Sequence, residues 1–173
     1  AINDFENKKN YNDFEFGGDA KFVIDNSLTL DITVNPDFSQ VEVDDQITNL
    51  TRFEISLPEK RQFFIENSDL FSSFGDRGDS NPFFSRRIGI AKDLNGNNIQ
   101  NKIIAGLRLS GKINNNLRIG VLNMLTDEDV ENQIASNNNT ILALQHKVFS
   151  RSNISFLFIN RESIKDYDFQ SDE

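Results

Sequence analysis

The chain has 173 residues, enough for one domain with a hydrophobic core, and its 18 basic and 27 acidic residues give a net charge of −9. This acidic balance repels a phosphate backbone and excludes nucleic acid as an expected partner. No apolar run approaches the roughly 20 residues that a membrane-spanning helix needs, and the lack of cysteine excludes disulfides and thiolate metal sites. The chain begins at Ala1 without an initiator methionine or an apolar leader, so we expect a processed product or an excerpt of a longer protein.

Residues 14–34 predict a first β-hairpin. Apolar and polar residues alternate in FEFGGDAKFVID and again in LTLDITV, and the turn formers Asp25, Asn26 and Ser27 separate the two segments. An alternation with a period of two is typical of strands whose faces meet different environments. The short link predicts a tight antiparallel turn.

Residues 35–101, which we call the excursion, interrupt the alternation. The stretch LPEKRQFFIENSDLF at 57–71 combines a proline, charges of both signs and several phenylalanines. Proline suits the first turn of a helix, and an acidic residue beside it favours the positive helix end, so the sequence predicts a short helix at about 58–66. Because such an apolar segment is costly to expose, we expect it to cover an apolar surface.

Residues 102–125 and 140–160 predict two further hairpins with the same alternation. KIIAGLRLSGK and LRIGVLNML flank an asparagine-rich turn, and TILALQHKVF and NISFLFIN flank a second turn at 150–152. We expect Arg108 and Arg118 to point inwards, because they lie on the polar half of the pattern. The apolar half predicts an outer face that contains Ile103, Leu107, Leu109, Ile119, Val121, Leu142 and Leu144.

The connections between predicted strands alternate between short and long. We expect the short turns near residues 26, 114 and 151 to share one end of the sheet, and the long links at 35–101 and 126–139 to share the other. Outer-membrane β-barrels show this asymmetry, with strands of about 9 to 11 residues. The predicted fold class is all-β, an antiparallel meander of amphipathic hairpins that belongs to an outer-membrane barrel. The six predicted strands form only part of such a barrel, because single-chain barrels begin at about 8 strands. A soluble antiparallel sheet with one wet face is the alternative.

Three long motifs carry a family resemblance, namely NPDFSQVE at 35–42, LPEKRQFF at 57–64 and FFSRRIG at 83–89. Over about residues 27–127 the chain strongly resembles the C-terminal domain of unknown function of large envelope proteins in Gram-negative bacteria. In that family the domain follows a carbohydrate-binding module similar to family 9, and Leu57 stands where the family more often has phenylalanine. The resemblance implies an outer-membrane barrel with a sugar-related role through a module that these residues do not include. It supplies no catalytic residues.

Charged and aromatic residues of the excursion form the candidate site. In the functional interpretation, the acids form a cation or sugar site and the arginines clamp a carboxylate or phosphate. In the structural interpretation, which we favour, ion pairs hold the excursion inside the barrel or across its mouth as a partial plug. The candidates for binding or for positioning the plug are Asp37, Glu42, Asp44, Asp45, Glu59, Arg61, Phe63, Phe64, Glu66, Arg86 and Arg87.

The expected function is therefore that of a barrel segment in the bacterial outer membrane, with a transport or anchoring role linked to carbohydrate handling. Membrane lipid is the expected partner, and the sequence predicts no cofactor, no metal site and no catalytic residue. Two alternatives stay open. One is a glycoside hydrolase that uses two carboxylates from residues 37–66, and the other is a soluble sheet that binds a ligand.

Overall fold

The computed structural model describes residues 16–36, 59–74 and 82–164, which form a mainly β structure. The strands are β1 (Gly18–Asp25), β2 (Leu28–Val34), β3 (Ile90–Lys92), β4 (Asn98–Gln100), β5 (Ile103–Lys112), β6 (Leu117–Thr126), β7 (Asn137–Phe149) and β8 (Ser152–Ser163). The described excursion also contains the helices α1 (Gln62–Ile65) and α2 (Asp69–Ser72) and a 3-10 turn at Ser85–Arg87. No helix in the described ranges has the length and hydropathy of a membrane span.

Six strands form one antiparallel sheet in the order β1-β2-β5-β6-β7-β8, and β3 pairs with β4 in a separate small sheet. Neighbours in the large sheet are also neighbours along the chain, except where the excursion separates β2 from β5. Those two strands pair from Leu28 opposite Gly111 to Val34 opposite Ala105. The predicted fold class is confirmed as an antiparallel meander of hairpins with a long inserted loop.

The connections of the large sheet are sorted to its two ends. The short turns at 26–27, 113–116 and 150–151 each join adjacent antiparallel strands and therefore share one end. The long links at 35–102 and 127–136 share the opposite end. The expected separation of short and long connections is confirmed.

The helix predicted at about 58–66 is shorter and broken in the structure. Arg61 keeps an extended backbone, with φ −76° and ψ 119°, so α1 begins only at Gln62. Glu66 is again extended, and Asn67 follows with a left-handed φ of 52°. Asparagine tolerates this conformation better than most residues, and the chain turns there into α2. The phenylalanines are thus distributed over two separate helical turns.

The two faces of the large sheet differ in polarity. We call the side that contacts α1 and α2 the inner face and the opposite side the outer face. Arg108 and Arg118 point to the inner face, as predicted, because both bind residues of the excursion. Strand alternation then places the apolar half of the pattern on the outer face. This confirms the predicted face of Leu107, Leu109, Ile119, Val121, Leu142 and Leu144.

Ile103 contradicts the prediction for the outer face. The pairing of β5 with β6 shifts in register between Ile103 and Ala105, and an irregularity of this kind moves a side chain to the other face. Ile103 is 3% exposed and belongs to the core on the inner side. The sequence does not reveal the shift because residue 104 is also isoleucine.

The hydrophobic core lies between the inner face and the excursion. The excursion contributes Phe64, Leu70, Phe71, Phe83 and Ile88, and the sheet contributes Ile103, Leu122, Met124, Ile141 and Ala143. Each large apolar side chain that is fully buried contributes about 1.5 to 3 kcal/mol. The two helices and the 3-10 turn of the excursion are therefore packed on the sheet side, whereas the β3–β4 hairpin is largely exposed, with Leu94 at 65%.

Candidate functional site

Seven of the predicted site residues lie in the described ranges, and most of them take part in two polar clusters on the inner side of the sheet. The first cluster ties the excursion to itself, and the second ties it to the sheet. The acidic candidates Asp37, Glu42, Asp44 and Asp45 lie outside the described residues.

Glu59 and Arg61 form the first cluster, which we call the excursion clamp. The Nε and Nη2 atoms of Arg61 donate to the two carboxylate oxygens of Glu59, both at 2.8 Å. Arg61 also donates to the carbonyl oxygens of Ile88 at 2.6 Å and Ser85 at 2.9 Å. The Ser85 hydroxyl donates to Glu59 at 2.6 Å. The clamp thus joins Arg61 to Ser85 and Ile88, which lie 24 and 27 positions further along the chain.

The excursion clamp is shielded from water. Arg61 is 6% exposed, and its guanidinium carbon lies 4.2 Å from the centroid of the Phe64 ring, a cation–π geometry. Burial alone would raise the pKa of Glu59, but the hydrogen bonds and charge of Arg61, with the hydrogen bond of Ser85, outweigh it and lower that pKa. Glu59 is therefore ionised at neutral pH.

Arg108 is the centre of the second cluster, which we call the wall cluster. The side chain is 2% exposed, and its Nη2 donates to the carboxylates of Asp31 at 2.8 Å and Glu66 at 3.0 Å. Its Nη1 donates to the carbonyl oxygen of Glu66 at 2.8 Å and to that of Phe63. The guanidinium of Arg108 therefore joins β2, β5 and the excursion. Its N–H donors point in several fixed directions from one plane, which the ammonium group of lysine cannot reproduce.

Lys21 of β1 extends the wall cluster. Its ammonium group donates to the carboxylate of Glu66 and lies 3.7 Å from Asp31. This hydrogen bond lowers the pKa of Glu66, and partial burial opposes the shift only in part. With Arg108 included, two cations face two carboxylates, so the cluster is electrically balanced.

Arg118 of β6 makes a further ion pair between the sheet and the excursion. Its two terminal nitrogens donate to the carboxylate of Asp69 at 2.7 and 3.2 Å, and one of them also donates to Gln145. The hydrogen bond from Arg118 lowers the pKa of Asp69. The Asp69 side chain is 58% exposed, so this pair contributes less to stability than the wall cluster does.

A row of small residues on the inner face receives the excursion. Ser110, Gly120 and Ala143 lie side by side on β5, β6 and β7. A Cβ atom at Gly120 would lie 2.6 Å from the ring of Phe71, so only glycine permits this approach of the ring to the sheet. The Asn67 amide donates to the Ser110 hydroxyl at 3.0 Å. The row therefore forms the groove in which α2 sits.

The two adjacent phenylalanines of α1 pack towards the sheet. The rings of Phe63 and Phe64 are 5.4 Å apart in an edge-to-face arrangement, and Phe64 is 5% exposed. The Phe63 ring lies 5.3 Å from the guanidinium carbon of Arg108. Of the two later arginine candidates, Arg86 is buried and Arg87 is exposed. From the sequence we expect Arg61, Arg86 and Arg87 to pair with acids such as Glu59, Glu66, Asp44 or Asp45; the pair of Arg61 with Glu59 is observed, and Asp44 and Asp45 lie outside the described residues.

A cavity of about 270 Å³ lies between the excursion and the sheet. Its charged groups, Glu59 and Arg108, are already engaged in the excursion clamp and the wall cluster. The remaining lining consists mainly of aromatic rings and serine hydroxyls, from Phe64, Phe71, Phe83, Phe84, Ser68, Ser72 and Ser85. The cavity therefore has little charge with which to select a ligand.

The carboxylates that the structure describes in the excursion do not favour acid–base catalysis. A glycosidase needs one carboxyl group that stays protonated near neutral pH, which requires a raised pKa. Glu59, Glu66 and Asp69 all have lowered pKa values. Within the described ranges, no group of three or more histidine, aspartate or glutamate residues is placed to hold a metal ion. What these residues can do is hold the excursion against the inner face.

Sequence reasoning missed the partners of Arg108. Lys21 and Asp31 lie on the polar half of the first hairpin, so their inward orientation was available from the alternation. Their proximity to Arg108 depends on the pairing of β2 with β5 across the excursion, for which the sequence carries no local signal. Gly120 was a possible signal, because glycine inside a strand often marks the close approach of another group.

The lowered pKa values predict that acid weakens the attachment of the excursion. The ordinary values are 4.5 for Glu66 and 3.8 for Asp69, and a lowered pKa in the folded state adds stability above these values that is lost as the pH falls through the folded pKa. We therefore expect the unfolding free energy at pH 7 to be higher for the wild-type protein than for the double variant Glu66→Gln/Asp69→Asn. This difference in free energy should shrink below pH 4.5. Urea titrations at pH 3 and pH 7 measure it. An equal difference at both pH values contradicts the expectation.

Comparison with known proteins gives one positive finding for this chain. Residues 1–162 match the family model described as "Domain of unknown function (DUF5916)". No curated protein sequence and no solved structure matches the chain.

Proposed function

We propose, from the premise that this chain belongs to the DUF5916 family of domains of unknown function, that its six-stranded sheet is part of the wall of a bacterial outer-membrane β-barrel. The excursion is a partial plug on the luminal side of that wall. The protein has a transport or anchoring role, and the family resemblance of the motifs links this role to carbohydrate handling through a separate module.

The observation that carries the proposal is the inverted polarity of the sheet. Lys21, Asp31, Arg108 and Arg118 lie on the inner face beside the apolar core and take part in ion pairs, whereas Glu162 is a charged strand residue of the outer face. The outer face bears large apolar side chains that stay accessible, with exposed fractions of 53% for Phe22, 38% for Leu107, 52% for Phe156 and 49% for Phe158.

A sheet in water normally adopts the opposite arrangement. Its apolar face packs on a second layer of the protein, and its polar face is in contact with solvent. In a transmembrane barrel the outward face is apolar because it meets lipid, and the inward face is polar because it meets a wet lumen or a plug. The polarity of this sheet supports the second arrangement.

The contacts of the excursion support its part in the proposal. Its described segments bind the inner face through the wall cluster and the Arg118–Asp69 pair, and they place phenylalanine rings on the small-residue row. Salt bridges that are partly buried position a segment more than they stabilise it, because desolvation offsets much of their attraction. This is the behaviour expected of a plug that must sit in a defined place.

A single charged substitution on the outer face tests the proposal. In the full-length protein refolded in detergent micelles or lipid, Leu109→Arg is expected to lower the free energy of unfolding by about 2 to 4 kcal/mol, because arginine is costly at mid-membrane depth. At an accessible position in water, the same change is usually within about 0.5 kcal/mol. Urea titration measures the difference.

A matched control is Glu162→Arg, since Glu162 is also an exposed strand residue but lies near the long-loop end of β8. We expect this variant to retain the wild-type stability. If Leu109→Arg is equally harmless, the outer face does not meet lipid, and the protein is instead a sheet that is stable in water.

A further inference from the structure

The outer face carries an apolar band that crosses the whole sheet. One hydrogen-bonded row runs from β1 to β8 through Phe22, Leu30, Leu109, Val121, Leu142 and Phe158. The next row towards the short turns contains Leu28, Gly111, Ile119, Leu144 and Phe156. On β1 the second row continues to the charged residue Asp25, which pairs with Leu28 after a register shift. From β2 to β8 neither row contains a charged or hydrogen-bonding side chain, so the middle of the band on these strands matches an uncharged hydrocarbon phase.

The border of the band at the long-loop end does not follow the hydrogen-bonded rows. In the next row towards the long loops, Ala20, Ile32 and Leu107 are apolar, but the row continues with Asn123, Thr140 and Asn160. One row further, Val34 and Ala105 are still apolar on β2 and β5, and Leu125 is apolar on β6, but β7 and β8 carry Asn138 and Glu162. The apolar region therefore extends further towards the long loops on β2 than on β8.

The opposite border shifts in the same direction. On β2, Leu28 is the last outward residue before the turn at 26–27. On β8 the band continues one row further, to Ile154, which is 64% exposed and pairs with His146. On going from β2 to β8, both borders of the band thus shift towards the short-turn end of the sheet. The shift is about two to four residues, or roughly 7 to 14 Å. The two strands are four strand spacings apart, which is about 19 Å.

We infer that the apolar band is the contact surface for the acyl chains of a bilayer that the strands cross at a tilt of roughly 20 to 35°, the slope set by these two distances. The inference rests on the proposed function and adds to it the position of the bilayer on the sheet. Asn123, Thr140 and Asn160 lie at the headgroup level of the long-loop side. Transmembrane strands tilt by about 35 to 45°, so a flat membrane must cut their hydrogen-bonded rows obliquely.

Charge and hydrogen bonding at the border complement this placement. Glu162, a charged outward residue, lies beyond the border, where headgroups and water can solvate it. At the border itself, the Asn123 amide donates to the side chains of Asn138 and Thr140, both at 2.8 Å. The side chains of Asn123, Asn138 and Thr140 are therefore bonded to one another within the sheet, as a low-dielectric neighbour requires.

The test compares two strands at the same two rows. Ile32 and Asn160 share one row, and Leu28 and Phe156 share another. Each position is changed to cysteine in the full-length protein, labelled with a nitroxide and reconstituted in phosphatidylcholine vesicles. Electron paramagnetic resonance then measures collisions with oxygen, which concentrates in hydrocarbon, and with a nickel chelate, which stays in water.

We expect the order of depth to reverse between the strands. On β2 the label at residue 32 should lie deeper than the label at 28, and on β8 the label at 156 should lie deeper than the label at 160. Within one row, residues 32 and 160 should differ in depth by on the order of 10 Å. Ser155→Cys, beside Phe156 but on the inner face, is the control and should collide with the nickel chelate.

Two other outcomes would overturn the inference in distinguishable ways. If both labels of a row lie at the same depth in hydrocarbon, the border follows the rows, and the tilted placement is wrong while the barrel proposal stands. If none of the four outer labels collides preferentially with oxygen, the outer face does not meet lipid, and the proposed function fails with it.

Discussion

Replacing Arg108 with alanine is expected to lower the free energy of unfolding by about 3 to 5 kcal/mol, because it breaks a buried ion-pair cluster on one side only. Arg108 is 1% exposed, and its guanidinium binds two carboxylates and two carbonyl oxygens. Without it, Asp31, whose side chain is 14% exposed, keeps only a distant contact with Lys21. A desolvated carboxylate that has lost its partner is costly, whereas an exposed one is not. Urea unfolding of the full-length protein in micelles measures the loss.

Three companion variants show whether the loss comes from the cluster. Arg108→Lys keeps the charge but not the planar fork, so an intermediate stability is expected. Arg151→Ala, at an exposed turn, is expected to stay within about 0.5 kcal/mol of wild type. Adding Glu66→Gln to Arg108→Ala should cost less than the sum of the single effects, because both residues belong to one network. A loss below about 1 kcal/mol for Arg108→Ala would mean that the cluster is not effectively buried.

Deleting residues 57–71 is expected to raise the conductance of the full-length protein in a planar bilayer while the barrel stays folded. The deletion removes α1, most of α2 and the excursion's share of the wall cluster and the excursion clamp. The sheet pairs its own strands without this segment, since β2 meets β5 directly. The deletion also uncovers the core residues Leu122, Met124, Ile141 and Ala143, which lowers stability, but the strand ladders do not include residues 57–71, so the sheet should stay paired.

A replacement of equal length separates packing from chain length. A glycine and serine segment in place of residues 57–71 lacks the phenylalanine rings and the ion pairs, so it should also raise conductance. Unchanged conductance in both variants, with an intact barrel, would show that the segment closes nothing. Its role would then be sought in binding a partner at the cell surface.

Much of the sheet follows from local pattern. Alternation with a period of two places Leu107 on one face and Arg108 on the other, and the turn formers mark where the chain reverses. The sorting of short and long links follows from antiparallel order alone. These features depend on neighbours in sequence, which is why they can be predicted without coordinates.

The parts that could not be predicted depend on contacts between distant residues. The wall cluster joins Asp31 to Arg108, 77 positions apart, and Arg108 to Glu66, 42 positions apart. The sequence does not show which residues pair in space. It therefore does not decide whether a carboxylate of the excursion binds a ligand or forms an ion pair with an arginine of the same protein. The shift at Ile103 was hidden for a different reason, since two consecutive isoleucines satisfy either register.

The direct pairing of β2 with β5 also determines how freely this protein can change in length. The entropy of closing a loop grows only with the logarithm of its length, so halving or doubling the connection between these strands changes the closure term by about 0.6 kcal/mol. The backbone ladder from Leu28–Gly111 to Val34–Ala105 remains the same whatever the connection contains. The strand pairing therefore does not fix the length of this insertion, whereas the core does restrict its content, because any replacement must still cover Leu122, Met124, Ile141 and Ala143.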